Sequence, residues 1–299
     1  FPRFAAVSLL AAAGWSIAYL LPGWATGAAL RLPLPEGFWP QAGIVAGSIA
    51  VMIGISVTSS LRRHRHASAY IASLGVAILF GLFIGYPYLT ALDQGLMALV
   101  QEHRNPMIDE IAVTFTLIGE FRNMLMFSAL LTILLVLTRQ WRQAIFAGGA
   151  LLSTALANTG SKLFFARVRP EVLSDPLTSY SMPSGHASGA FALFLVLAVL
   201  AGRGQPPRMR LTWLFIACLP ALSIALSRVY LGAHWPTDVL AGAMLAACVC
   251  AASLWLSQRR TSLNAMPFKV WWLILPSMLA LFAFFALRHL PHAMLRYAY

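Results

Sequence analysis

An all-α integral membrane protein is the fold class this sequence predicts. Three observations carry it: a composition 60% hydrophobic with only 10% charged residues, apolar runs that recur along all 299 residues, and short polar connections between them. A spanning helix needs about 20 mostly apolar residues at about 1.5 Å rise each. Nine runs are predicted to span, at 4–27, 41–61, 67–87, 122–138, 143–161, 186–201, 211–227, 237–257 and 270–290.

The first run, within FPRFAAVSLLAAAGWSIAYL, lacks the small-residue cleavage site of a secretory signal and is read as a retained helix. Because the chain opens on Phe1, a processed chain or a piece of a longer one is expected. The second and third runs flank RRHRH at 62–66. Between the third and fourth, Tyr88 to Phe121 has apolar residues at helical spacing with charges between them, too polar to span and too patterned for disorder. One or two helices lying along the outer interface are predicted there, broken near Asn105-Pro106. The fourth and fifth runs are joined by RQWR at 139–142, the sixth follows SMPSGHASG, and the seventh and eighth flank SRVYLGAHWPTD. The ninth, from Val270, suggests no chemistry and leads into a short interfacial tail. The expected organisation is N-terminal membrane helices over 1–61, a core over 62–258 and a C-terminal helix with its tail over 259–299.

The formal charge of +12 does not indicate nucleic acid, since the basic residues come in short clusters between apolar runs and build no stripe with interleaved aromatics. With nine alternating spans, Arg3, RRHRH, RQWR, Arg203, Arg208, Arg210, Arg259, Arg260 and Lys269 fall on one side, which the positive-inside rule makes cytoplasmic. All nine acidic residues fall on the other side. Cys218, Cys248 and Cys250 lie inside apolar runs and are read as small lipid- or core-facing residues; no metal site or cofactor is expected.

Three polar clusters then meet on the non-cytoplasmic side: KLFFARVRP at 162–170, SMPSGH at 181–186 and SRVYLGAHWPTD at 227–238. An ionisable group at membrane depth is expensive, so Lys162, still within its apolar helix, is a functional candidate. Lys162, Arg169 and Arg228 together suit an oxyanion with several negative oxygens, of which phosphate is the commonest in biology. Ser184 and Gly185 precede a helix whose first N–H groups are unpaired and whose dipole is positive at that end, an anion cradle; alone, Ser184 reads equally well as an N-cap. His234 lies four residues before Asp238, which can set the carboxylate against one ring nitrogen and leave the other to attack phosphorus. His186 can protonate the departing alkoxide.

These clusters resemble the three-part signature of the type 2 phosphatidic acid phosphatase superfamily: Lys162 with Arg169-Pro170, then Pro183-Ser184-Gly185-His186, then Ser227-Arg228 with His234 and Asp238. The similarity extends over roughly 67–257, which would be that family's six-helix lipid phosphatase core. It implies a metal-independent reaction through a phosphohistidine on His234, oriented by Asp238, with His186 as the acid. Lys162, Arg169, Ser184, Gly185 and Arg228 would hold the phosphate. Arg167 lies outside the pattern and is expected to anchor at the interface, with a headgroup contact as the alternative.

The stretch from Arg3-Phe4 to Gly14-Trp15, with LLPGWATGA at 20–28, resembles the last membrane helix of DedA-type proteins, which would make the chain a phosphatase domain from a DedA–phosphatase fusion. The expected substrate is a lipid phosphate or pyrophosphate in the outer leaflet of an inner membrane, undecaprenyl pyrophosphate first and phosphatidylglycerophosphate or phosphatidic acid next. Two alternatives are a vanadate-dependent haloperoxidase, a soluble group that resembles the same signature, and a transporter or channel with an anion path. The apolar runs argue against the first, and the nearly unbroken apolarity of 187–201 and 211–226 argues against the second.

Overall fold

Residues 33–62, 66–173 and 177–296, with Gly23 and Gly27, are described by a computed structural model, with side chains as far as Arg288. They form ten α-helices and no strand: α1 (Phe38–Leu61), α2 (Ala67–Gly85), α3 (Thr90–Glu102), α4 (Pro106–Ile118), α5 (Phe121–Leu137), α6 (Trp141–Phe165), α7 (Gly185–Gly202), α8 (Pro207–Tyr230), α9 (Pro236–Ser257) and α10 (Phe268–Arg296). A 3₁₀ turn, Tyr86–Tyr88, follows α2. Helices are what a bilayer permits, because each backbone N–H and C=O is satisfied within its own segment. Apart from Gly23 and Gly27, the helix expected at 4–27, with its DedA-like residues, lies outside the described residues, as do most of RRHRH and Asp175.

Each of the other eight expected runs is a helix. Among the described residues six helices are long and apolar enough to cross a membrane: α1, α2, α7, α8, α9 and α10. The count rises to seven if α4 and α5, bent by 50° at their junction, act as one broken span. With 17 residues α5 is short for a span. At 25 residues α6 is long enough, but Asn158, Thr159, Ser161 and Lys162 make its last turns too polar to count on composition.

One end of the bundle gathers the connections 86–89, 103–105, 119–120 and 231–235 with residues 166–173 and 177–184, while the opposite end holds 138–140, 203–206 and 258–267. At that second end Arg142 donates to the carbonyls of Ser257, Thr261 and Ser262, and Arg203 to Gln258. The predicted helix break is present: Asn105 caps α4 by accepting from Ile108 N at 3.1 Å, and Pro106 begins the helix. Together α3 and α4 close the first end, with Gln101 bonded to the carbonyl of Tyr230 and Tyr230 to the backbone of Asn105.

The core is packed with small residues. Ala147, Ala150, Ala187, Ala190, Ala241 and Ala246 are all 0% exposed, so neighbouring helices approach closely. Leu152, Leu156, Phe215, Leu219, Leu275 and Leu279 point outward, the reverse of a soluble protein. Both Cys248 and Cys250 are buried, Cys248 against Gly75. Val270, Ile274, Met278 and Phe285 of α10 join the same cluster as α5 to α9. α7 packs closely on α9, where a Cβ on Gly242 would stand 2.6 Å from the Ser184 carbonyl oxygen and 3.1 Å from Ser188 N.

Candidate active site

Four chain segments deliver the expected residues to the same end of the bundle. Lys162 lies in the last turn of α6, and its Nζ donates to the carbonyls of Tyr180 and, at 3.5 Å, Ser181. Arg169, on the connection after α6, is held by Ser179, with Nε to the carbonyl at 2.6 Å and Nη2 to Oγ at 2.9 Å. Arg228, near the end of α8, is 1% exposed and donates to Thr116 Oγ1 at 2.7 Å. Ser184 is the N-cap of α7: its Oγ accepts from Ala187 N at 3.4 Å and its own N–H donates to the Asp238 carbonyl at 2.9 Å. Gly185 follows as the first helical residue, and a Cβ there would face Asn158 Oδ1 at 3.4 Å and Lys162 Cε at 3.9 Å. The cap and the cradle expected of Ser184 are therefore compatible, because the cap engages the Ala187 N–H and not those of Gly185 and His186, which an anion can meet.

Both histidines sit among these cations. Arg228, His234, Arg169 and Lys162 all act electrostatically on His186, and Arg169, Arg228 and Lys162 on His234. The ring of His186 packs beside Gly119, and its Nε2 is buried without a hydrogen-bond partner. His234 is positioned by how α8 ends: the Arg228 carbonyl accepts from Ala233 N at 3.0 Å and His234 N at 3.2 Å. That turn needs Gly232, whose φ is +68° and where a Cβ would stand 2.5 Å from Val172.

The side-chain contacts of His234 select a tautomer. Arg169 Nη1 lies 3.0 Å from Nε2, and a guanidinium can only donate, so Nε2 is the acceptor and Nδ1 carries the proton. On the Nδ1 side the Asp238 carboxylate stands 3.7 Å away, longer than a hydrogen bond, and the Ser181 hydroxyl at 3.4 Å lies between them while donating to Asp238 Oδ2. The expected His234–Asp238 contact is thus supplemented by a serine. Burial first, and then the Arg169, Arg228 and Lys162 charges, hold the imidazole well below its usual pKa, so Nε2 keeps its lone pair at neutral pH.

Arg167 is not an interface anchor, and that expectation is corrected. Its Nη1 bonds Asp238 Oδ1 at 2.6 Å and its Nη2 bonds Asp93 Oδ2 at 2.7 Å. The backbone turns inward after α6 through Ala166 at φ 47°, which carries Arg167 toward the bundle. Asp93 on α3, Ser181, Thr237, Thr116 and Asn158 also went unforeseen; the last donates to the Pro183 carbonyl at 3.4 Å. Asp93 is 1% exposed, and burial raises its pKa against the pull of Thr237 and Arg167.

Beside the polar cluster lies an apolar cleft of about 300 Å³. Asn158, Gly185 and Ser188 form its polar edge, and Met124, Leu125 and Leu152 line its walls. The arrangement can bind a phosphoryl group by three cations and a helix N-terminus, attack it with a neutral imidazole and donate a proton from a second one.

Residues 143–262 match the PAP2 superfamily. An undecaprenyl-diphosphatase of Sulfolobus acidocaldarius is 39% identical over 87 residues, 27% of this chain and 36% of that protein. A phosphatidylglycerophosphatase B of Bacillus subtilis is 37% identical over 92 residues, 29% of this chain and 44% of that protein. A lipid A 1-phosphatase of Rhizobium etli is 34% identical over 127 residues, 36% of this chain and 51% of that protein. The chain spans about a third to a half of the length of these relatives. The crystal structure of a transmembrane PAP2-type phosphatidylglycerolphosphate phosphatase from Bacillus subtilis shares the fold, with a TM-score of 0.57 at 21% identity, over 64% of this chain and 97% of that one.

Proposed function

Starting from a PAP2-superfamily segment at residues 143–262, we propose that this protein is a membrane lipid phosphatase that removes a phosphate or pyrophosphate group through a phosphohistidine. The observation that carries this reading is the neutral His234 Nε2 set among Lys162, Arg169 and Arg228 at the N-terminus of α7. The phosphoryl oxygens lie against the three cations and the α7 amides, and Nε2 attacks phosphorus in line with the departing oxygen. A P–N bond forms, the P–O bond breaks, and His186 gives its proton to the leaving oxygen. Neutral once more, His186 takes a proton from water, whose oxygen attacks the phosphohistidine, releasing inorganic phosphate and restoring His234. Asp238 and Ser181 hold the Nδ1 proton in place throughout.

The cleft beside Gly185 suits a hydrocarbon tail lying along α5, α6 and α7 while the headgroup reaches the cations. With the basic connections at the opposite end taken as cytoplasmic, the site faces away from the cytoplasm, toward the outer leaflet of an inner membrane. The names of the similar proteins support a lipid carrying a terminal phosphate or pyrophosphate, with undecaprenyl pyrophosphate as first choice.

The test is phosphate release by the detergent-purified protein from undecaprenyl pyrophosphate, phosphatidylglycerophosphate, phosphatidic acid and a water-soluble phosphate ester, with and without excess EDTA. Release from at least one lipid, undiminished by EDTA, is expected, since the phosphate charge is met by side-chain cations and no three His, Cys, Asp or Glu side chains among the described residues are grouped as metal ligands. Activity lost to EDTA and restored by magnesium would contradict the mechanism, and no release from any substrate would sink the function.

Gly242→Val is expected to lower phosphate release by about 10²-fold, because a branched side chain would push the Ser184 carbonyl and the cradle off α9. Size-exclusion chromatography beside the assay checks that the variant is folded; a folded variant with wild-type rate would mean the α7–α9 contact does not set the cradle.

A further inference from the structure

Among the polar contacts at this end of the bundle, one group belongs to no part of the three-cluster signature. Arg167 sits between two buried carboxylates, with Nη1 on Asp238 Oδ1 at 2.6 Å and Nη2 on Asp93 Oδ2 at 2.7 Å. Its Nη1 also reaches Thr237 Oγ1 at 2.8 Å. Thr237 in turn donates to Asp93 twice, from its N–H at 2.9 Å and from its hydroxyl at 2.6 Å. The guanidinium is bracketed by aromatic rings, 4.8 Å from the Tyr86 centroid and 5.7 Å from that of Trp235.

We propose that Asp93 and Arg167 are positioning residues for the reaction, fixing the rotation of the Asp238 carboxylate so that Oδ2 faces His234. A terminal carboxylate torsion is broad and roughly two-fold, so nothing within the Asp238 side chain itself decides which way its plane lies. Arg167 decides it from the Oδ1 side. On the Oδ2 side, Ser181 and the Trp235 N–H at 3.0 Å complete the clamp. Asp93 then fixes Arg167 and also supplies the partner that the Thr237 N–H, in the first turn of α9, would otherwise lack. Simple anchoring of α3 to α9 would be met by Asp93 and Thr237 alone; it does not account for a guanidinium carried inward to bridge Asp93 to the reacting pair.

This inference rests on the phosphatase reading. It is tested with the full chain purified in detergent, measuring kcat, KM and the thermal unfolding midpoint of the wild type, Asp93→Asn, Arg167→Lys and the double variant on the best lipid substrate. Arg167→Lys keeps the cation and removes only the two-pronged geometry, which guards against a variant that fails to fold. Each single variant is expected to lose roughly 10- to 100-fold in kcat, as partners that orient catalytic groups commonly do, with KM within about two-fold of wild type. The double variant is expected to lose little more than the worse single one, because both changes release the same carboxylate. Wild-type kcat in either single variant would overturn the inference, as would a loss fully matched by a smaller folded fraction or a loss appearing in KM alone. A wild-type protein inactive on every ester would remove the phosphatase reading and this inference with it, whereas an active wild type with unaffected variants removes the inference alone.

Discussion

His234→Ala is expected to release no lipid phosphate above a background on the order of 10⁴-fold below wild type, while inorganic phosphate still binds with affinity within a few fold. The two halves of this result come from different atoms. In the proposed mechanism Nε2 forms the bond to phosphorus, and Arg169, 3.0 Å from it, is a guanidinium that cannot attack. In the same mechanism the oxyanion is held by Lys162, Arg169, Arg228 and the α7 amides, none of which the substitution removes. Removing the ring also frees Arg169 Nη1 from one of its contacts while its bond to the Ala233 carbonyl remains. Phosphate release on the purified variant gives the first half and isothermal titration with inorganic phosphate the second. Brief incubation of wild type with labelled substrate should in addition trap an acid-labile phosphoprotein that the variant lacks. A variant retaining near-normal turnover would remove His234 from the nucleophile role.

Much of this site was legible in the sequence because its chemistry is local. Pro183 to His186 is one turn and the start of one helix, and His234 and Asp238 span one turn around a helix start. Spacing alone therefore placed a helix N-terminus beside a cation and a carboxylate near an imidazole. What stayed hidden comes from far along the chain. Thr237 and Asp93 are 144 residues apart, and Arg228 and Thr116 112 apart, so no local pattern could pair them. Asp93 lies in a helix read as interfacial, where an acidic residue is unremarkable, and only the folding of α3 over α9 makes it a buried partner. Arg167 was misjudged for a related reason: two residues from Arg169 it looked like one more cation at a membrane edge, and the left-handed backbone at Ala166 that turns it inward has no signature in an alanine.

Apolar length marks crossing helices unevenly: α6 brings Asn158 and Lys162 to the site and is more polar for doing so. α5 ends at 17 residues because Glu120 and the bend from α4 take over at its start. A helix that builds a site within a membrane gives up some of the hydropathy by which it would be recognised, and helices with no polar duty, such as α2, are the easiest to read.

His186→Ala is expected to separate two steps that His234→Ala cannot. On a lipid phosphate monoester, whose leaving oxygen departs as a strongly basic alkoxide, loss of the acid should cost about 10²- to 10⁴-fold in kcat. On p-nitrophenyl phosphate the leaving group departs as a stable anion and needs no proton, so phosphorylation of His234 should proceed at close to the wild-type rate. Attack of water on the phosphohistidine still calls on the same imidazole as base, and that step stays slow. The expected trace is a burst of about one equivalent of nitrophenolate per protein followed by slow turnover, where wild type gives a straight line. The position of the ring supports the role: its Nε2 is buried with no partner, an arrangement that costs about 1–3 kcal/mol and is relieved when a substrate oxygen arrives. Equal losses on both substrates with no burst would mean that His186 only shapes the pocket, against Gly119 and beside Arg228, and that the proton comes from elsewhere.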